Sequence, residues 1–314
     1  MNEIDYQTNR ILIEDTVYVQ YRKTSRAPNI EYPHRHHGYE IYYFQSGAAT
    51  YIIGETIYTL SPGDMLIFRG DILHLVRPVP KSACLRSIIN FKFSDVDDLL
   101  DPTIQQKLKL LFDAANGTHV HWRQEECRSI EHLFFTVAEE SRHREVGARN
   151  IIRLQLVTLL LRILRNYEGM CSRKIRPPAL GRQETHVVKI LKVLNQRFRD
   201  KLSLDQLANA VHLNKHYICH CFKSISGLTI NQYLVNLRID ESKKLLLETN
   251  KPINIIAEEV GVGGVAQFSR LFRQHVGMAP QVFRKTSRRL GQNECGHEYL
   301  KSLQQYSLND EQYL

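Results

Sequence analysis

The sequence has no CxxC pair, and its six cysteines stand singly except for Cys219 and Cys221. Those two, two residues apart, would point to different faces of a helix. No disulfide framework is therefore expected, and a reducing compartment is. The start, Met1 to Arg10, is polar, so no signal peptide is expected. The longest apolar region, Leu154 to Leu164, is too short and too charged to cross a bilayer. No glycine-rich phosphate loop and no Ser/His/Asp arrangement stands out, so no catalytic residues are assigned. These absences lead to the expectation of a cytoplasmic protein with no membrane partner that is not an enzyme.

What the sequence does contain is one pattern written twice. Leu204, Leu207, Ala208 and Val211 recur 49 residues later as Ile253, Ile256, Ala257 and Val260. Ile218, Phe222 and Gly227 recur 50 residues later as Phe268, Phe272 and Gly277. Such self-similarity marks a repeated supersecondary unit. Each copy reads as helix-turn-helix. Apolar residues at i, i+3, i+4 and i+7 give the first helix one buried stripe, and Ser203 is placed to cap it. Ala208 and Ala257 sit where two helices must cross closely. The turns fall at 212–214 and 261–264, with Gly263-Gly264 loosening the second. The second helices are expected over 215–224 and 265–275, closed by Gly227 and Gly277. Between the copies, Ile230 to Glu248 has helical period. At 1.5 Å per residue it spans about 28 Å, near the ~34 Å of one DNA turn that separates two reading helices.

The segment resembles the DNA-binding domain of the AraC/XylS family of bacterial transcription regulators. The residues that carry the resemblance are the first copy, Leu237-Arg238 with Lys243-Lys244-Leu245-Leu246, and Phe268-Ser269-Arg270-Leu271-Phe272-Arg273 followed by Gly277-Met278-Ala279-Pro280. The match covers about 100 of 314 residues. Departures from the family pattern are Ala279, His220, Ala266 and the Gly263-Gly264 turn. The aligned positions turn Lys215, His216, Cys219, His220 and Lys223 of the first copy toward bases or phosphates. In the second copy the corresponding set is Ala266, Gln267, Ser269, Arg270 and Arg273. Arg270 is expected to make a bidentate guanine contact, and His220 at the equivalent place at most one directed bond. His212, His216 and His220 are spaced by four, but no carboxylate accompanies them and no metal is expected there. Residues 184–290 hold 17 Lys and Arg against 8 Asp and Glu, so the formal excess of +9 in the whole chain sits on this segment, as phosphate binding requires.

The amino-terminal third reads as short strands, with alternating and aromatic runs at 16–21, 39–45, 50–53, 56–60, 65–68 and 84–93. Gly54-Glu55 is a hairpin signal and Ser61-Pro62-Gly63-Asp64 a turn. The spacing suits a closed barrel or jelly roll. His34-x-His36, Glu40 and His74 fall at cupin-like spacing, with Gly47 and Gly63 in register. This resemblance covers about 65 residues, with Pro28, Arg69, Asp71 and Pro78 departing from the fingerprint. A set of three His and one carboxylate suits a divalent transition metal. A guanidinium at Arg69 would repel such an ion and pair instead with Glu40 or with an anionic ligand. The expectation is therefore that no metal cofactor is held, and that His34, His36, Glu40, Tyr42 and His74 contact a small-molecule effector. Strand alternation places Tyr42 and Phe44 inside with Glu40.

Residues 103–168 switch to helical period. Ile130, Leu133, Phe134, Val137 and Ala138 form one stripe, and 151–164 is apolar almost all round, so it must be buried in a core or against a partner chain. Five segments follow. Residues 1–115 are a cupin-like sensor, 116–170 a helical dimerisation segment, 171–183 a linker, 184–290 the double helix-turn-helix domain, and 291–314 a polar tail. The fold class is α+β. The function expected is a DNA-binding regulator responsive to a small molecule. The family resemblance implies an activator and a sugar or related metabolite as effector; a homodimer is expected from the apolar helix at 151–164, and RNA polymerase is a further expected partner. The alternative is a metal-dependent cupin enzyme fused to a DNA-binding domain.

Overall fold

A computed structural model describes residues 17–26, 32–79, 83–172 and 180–292. The polar start, Thr16, Pro28, Pro177-Pro178 of the linker and the tail beyond Gln292 lie outside them. The chain divides into two compact units, the first running to Thr185 and the second beginning at His186.

The first unit contains eight strands among the described residues: β1 (Tyr18–Arg26), β2 (Tyr39–Ser46), β3 (Ala49–Ile53), β4 (Thr56–Leu60), β5 (Asp64–Arg69), β6 (His74–Pro78), β7 (Ala83–Phe91) and β8 (Thr118–His121). They form a five-stranded sheet in the order β1-β7-β2-β5-β8 and a three-stranded sheet in the order β4-β3-β6. The two sheets share a core. Tyr42 and Phe44 of β2, Leu66 and Phe68 of β5, Tyr51 and Ile53 of β3, and Val76 of β6 form one cluster. On its other face the large sheet is covered by three helices, α1 (Pro102–Phe112), α2 (Gln124–His143) and α3 (Ala148–Ser172). Ile41, Tyr43, Met65, Ile67 and Ile89 pack there with Phe112, Ile130, Phe134, Leu156, Leu160 and Ile163. A sheet buried on both faces explains why Ile41-Tyr42-Tyr43-Phe44 is apolar without alternation, each residue at most 1% exposed.

Two details differ from the sequence reading. The region 116–170 is not helical throughout, because β8 opens it and adds to the sheet edge beside β5. Its four residues are too few to show a period. They are fixed by chemistry: His119 Nε2 and His121 Nδ1 both lie 2.8 Å from Oδ1 of buried Asp64. The same Asp64 accepts the Ser61 N–H at 2.7 Å and closes the turn expected there. In α3, Leu156, Leu159, Leu160, Ile163 and Leu164 are buried within the first unit, whereas Leu154 is 55% exposed. Intrachain packing therefore covers one side of this helix only.

The second unit is helical: α4 (Arg182–Arg197), α5 (Leu204–Val211), α6 (Lys215–Ser226), α7 (Ile230–Glu248), α8 (Ile253–Glu259), α9 (Val265–Val276) and α10 (Pro280–Gln292). Ser203 caps α5, accepting from the Gln206 N–H at 3.1 Å, while Gln206 Oε1 accepts the Ser203 N–H in return. Phe222 of α6 meets Tyr233 of α7 with ring centroids 5.4 Å apart. In the second copy Phe268 and Phe272 of α9 join Ile256 and Ala257 of α8, Ile239 and Leu246 of α7, and Phe283 of α10. Arg238 donates to the carbonyls of Phe198 and Asp200 at 2.7 and 2.8 Å. Arg284 does likewise to Leu246 and Lys251, at 3.3 and 2.6 Å. Each guanidinium thus fastens a helix to chain that would otherwise leave carbonyls unsatisfied.

The two turns use the same backbone state at equivalent places. His212 ends α5 with φ +55°, and Gly261, its counterpart, has φ +76°. A Cβ on Gly261 would lie 2.3 Å from the Arg199 carbonyl oxygen, so only glycine fits. Gly264 is also constrained rather than loose: at φ 106°, ψ 143° it caps α9 in a region that L side chains rarely enter. We expect Gly261→Ala to destabilise the second unit by about 2 kcal/mol or more. His212→Gly should change it by less than about 1 kcal/mol, because relieved strain offsets added chain entropy. Urea melts of the intact chain followed by helix circular dichroism read both. Equal effects would show that the Arg199 contact is unimportant.

Candidate functional site

Two regions carry the residues singled out in the sequence. The first is the inner face of the small-sheet core. Glu40, on β2 opposite Phe68 of β5, is 3% exposed. The segment carrying His34 and His36 is stitched beside it by backbone bonds, His34 N to His74 O at 3.0 Å and His36 N to Gly70 O at 2.9 Å. His36 Nε2 lies 2.8 Å from Glu40 Oε2, and His74 Nε2 lies 3.8 Å from the same oxygen. Tyr51 OH donates to Glu40 Oε1 at 3.1 Å. Tyr51 stands edge-on to Tyr42, centroids 4.6 Å apart.

The electrostatics follow from this packing. Burial alone would raise the Glu40 pKa, but the contact with His36 and the neighbouring His74 and His34 outweigh it and hold it at about 2. Burial pushes His74 down to about 3, with His34 adding to the effect and Glu40 opposing it. The face therefore holds an ionised carboxylate beside a neutral imidazole at ordinary pH.

Of the four groups expected to converge, three do so: ligand atoms of His36, Glu40 and His74 lie within 4.8 Å of one another, and no other such group exists among the described residues. His34 is not in the set. It stacks edge-on against His74 at 4.3 Å, its Nδ1 3.1 Å from the Tyr32 carbonyl. Arg69 is not near Glu40 as the sequence suggested. It is exposed at the end of β5 and forms a pair with Asp71, while its neighbour Phe68 takes the place facing the inner core. Tyr42 is inside, at 1% exposed, in the aromatic cluster of the inner core. The half-buried side of the cluster is that of His34 and His36. A cavity of about 530 Å³ lies elsewhere in this unit, lined by Trp122, Arg123, Arg162, Arg165, Asn166 and Met170 among others.

Three residues escaped the sequence reading. Tyr51 is a direct partner of Glu40. Arg86, 2% exposed, holds its guanidinium 6.0 Å from the Tyr42 ring centroid. Gly70 has no positive φ; a Cβ there would lie 2.2 Å from His36 Nδ1, so the glycine makes room for the imidazole. The strand alternation of Ala49, Tyr51 and Ile53 signals the first, and nothing local signals the other two.

The second region is the pair α6 and α9. Ile218, Cys221 and Phe222 bury one side of α6, and Phe268 and Phe272 one side of α9. The opposite side of α6 exposes Lys215, His216, His220 and Lys223, with Cys219 half-buried. That of α9 exposes Ala266, Gln267, Arg270 and Arg273, with Ser269 half-buried. Lys215 Nζ also pairs with Asp205 Oδ2 of α5 at 2.9 Å. His212 is at the end of α5, not on α6 with His216 and His220.

We expect Tyr51→Phe to lower the stability of the first unit by about 1.5–3 kcal/mol, the range for a hydrogen bond to a charged acceptor. The chain's single tryptophan, Trp122, is 4% exposed in that unit and reports its unfolding by fluorescence. An unchanged melt would mean that the Tyr51 hydroxyl does not hold the carboxylate.

Comparison with known proteins places both regions. Residues 17–148 match the family model described as AraC-like ligand binding domain, and residues 207–286 match a helix-turn-helix domain. The activator RhaS of Enterobacter sp. is 23% identical over 83% of this chain and 90% of its own length. The uncharacterized regulator YisR of Bacillus subtilis is 35% identical over 29% of this chain and 32% of its own. The bifunctional transcriptional activator/DNA repair enzyme AdaA of the same organism is 34% identical over 32% and 47%. The match thus spans less than half of the length of each of these last two. No described helix is long and apolar enough to cross a membrane. An AraC-like ligand binding domain at 17–148 is thus followed by a helix-turn-helix domain at 207–286, and the chain is similar to AraC-type transcriptional regulators.

Proposed function

We propose that this regulator senses a small molecule at the inner-face cluster of its first unit and reads DNA with α6 and α9. The observation that carries the DNA half is the pair of helices with one buried stripe and an opposite exposed, basic one. They sit in the unit that holds the chain's positive excess. Recognition helices of this kind enter the major groove with early residues on base edges. Arg270 is the specificity residue of the second copy, and His220, with one directed bond at most, reads its half-site less stringently. Lys223 and Arg273 lie one turn further on and suit phosphate contacts.

His34, His36, Glu40, Tyr42 and His74 are the proposed effector contacts, approached from the half-buried histidine side. A sugar or related metabolite fits a site of convergent polar groups against aromatic rings. The chain acts as an activator in the cytoplasm, with RNA polymerase as a partner; RhaS and AdaA carry "activator" in their names. It is proposed as a homodimer, through the side of α3 that exposes Leu154 and the side of α2 on which Phe135 is 42% exposed. No catalytic activity is assigned. The convergence of His36, Glu40 and His74 favours one rival, a metal-dependent enzyme of the same barrel. Turnover of a substrate that requires His36 and Glu40 would establish it.

Footprinting on the genomic fragments that the intact protein selects tests the reading. Arg270→Ala should weaken binding by about 1–3 kcal/mol and relax sequence preference at one position, while His220→Ala should cost less. Affinity should fall steeply with salt. Unchanged affinity and preference in Arg270→Ala would refute the docking. Residues 184–290 should bind the same DNA without responding to effector, because they hold α5 to α9, most of α4 and α10, and the apolar cores of both copies. An effector response in that fragment would move sensing out of the first unit.

A further inference from the structure

We infer that the cavity at the carboxyl-terminal end of α3 binds an organic anion, its carboxylate or phosphate head held by Arg162 and Arg165 and its apolar body lying against Trp122 and Met170. The cavity belongs to the first unit alone, where β8, the start of α2 and the last turns of α3 meet. It shares no residue with the inner-face cluster proposed above as the effector site, and the inference does not rest on that proposal.

One helical stripe builds the site. Arg162, Arg165, Asn166 and Gly169 stand at i, i+3, i+4 and i+7 of α3, so they share a face, and all four line the cavity. Asn166 Nδ2 donates to the His121 carbonyl at 3.0 Å, which ties the stripe to the end of β8. Arg162 Nη1 donates to Ser129 Oγ at 2.7 Å, which ties it to α2. The wall is therefore fixed from three elements. Its volume of about 530 Å³ falls in the usual range of small-molecule sites, roughly 300–1,000 Å³.

The charge of the lining is positive. Arg123, Arg162 and Arg165 stand against one carboxylate, Glu126. Glu126 Oε2 accepts the Arg123 N–H at 3.1 Å and closes the first turn of α2. Other carboxylates nearby are engaged as well: Asp64 by His119 and His121, and Glu125 at 3.9 Å from the Arg123 guanidinium. The partner of Arg162, Ser129, is neutral, and Arg165 forms no ion pair among the described residues. Like charges three apart on a helix repel, and an anion shared between them turns that repulsion into attraction. A guanidinium can donate two parallel bonds to a carboxylate or a phosphate.

Two further observations point to a ligand rather than to a solvated basic surface. Trp122 lines the cavity at 4% exposed, yet its buried Nε1–H has no hydrogen-bond partner. A buried indole N–H ordinarily finds an acceptor, and an oxygen of the ligand is one. Gly169 lies within α3, where glycine weakens a helix, although a Cβ there would meet nothing within 4 Å. No packing contact excludes a side chain at that position; what the glycine preserves is the width of the cavity.

The test uses the intact chain and two optically silent probes, hexanoate and hexyl phosphate, read by the fluorescence of Trp122, the single tryptophan. Hexanamide and inorganic phosphate are the controls for head and body. At least one of the two anions should bind saturably and raise the melting temperature of the first unit; the tighter one identifies the head group. Arg162→Gln and Arg165→Gln should each weaken binding at least tenfold. Gly169→Leu removes no charge and should do the same by filling the cavity. Arg149→Gln, at the opposite end of α3, should leave binding unchanged. All four positions are exposed or half-buried, so these variants should keep the fold. The inference is overturned if neither anion saturates, if hexanamide binds as tightly as hexanoate, or if Arg162→Gln and Gly169→Leu bind as the unaltered chain does. Inorganic phosphate binding as tightly as hexyl phosphate would overturn the assignment of the apolar body to Trp122 and Met170.

Discussion

Glu40 is charged at 3% exposure among aromatic rings, and a carboxylate in such a place must be surrounded by partners. Its partners come from every side of the inner core. His36 is supplied by the segment bridged to β6, His74 by β6 itself, and Tyr51 by β3. These contacts fix the register of the small sheet against the large one more sharply than apolar packing does, because a one-residue slip would turn Glu40 toward the helices. The proposed effector site and the sandwich's alignment therefore depend on the same group.

The large sheet makes this possible by being dry on both sides. Helices α1, α2 and α3 cover the face opposite Glu40, so β2 alternates between two interiors rather than between interior and solvent. On the carboxylate's own side Tyr51 and His74 enclose it and half-buried His34 and His36 border it. Covering the sheet also commits one face of α3 to the first unit, with Leu154 exposed on the other side.

In the second unit the organising constraint is the left-handed residue between paired helices. His212 and Gly261 take the same backbone state with different side chains, because only the second turn approaches a backbone carbonyl, that of Arg199. With the turns set, Ile218 and Phe222, and likewise Phe268 and Phe272, are buried. The polar stripes of α6 and α9 are then turned out by helical geometry alone. Arg238 and Arg284 fasten both copies through carbonyls.

The repeat was legible because two helix-turn-helix units need the same small, apolar and glycine positions. Their periodicity survives in Leu204 to Val211 and Ile253 to Val260 without any knowledge of partners. Glu40, Tyr42 and Phe44 sharing one face was legible too, because strand alternation is local. What the sequence could not determine was anything set by a neighbour distant in the chain. It did not show β8, whose four residues are held by Asp64 from 55 and 57 positions away. Nor did it show the role of Gly70, which exists to admit His36, or that Arg69 turns outward to Asp71. Spacing named four candidate ligands; only the folded strands decided that His36, Glu40 and His74 meet and that His34 does not, since convergence depends on where β2, β6 and the bridged segment cross in space.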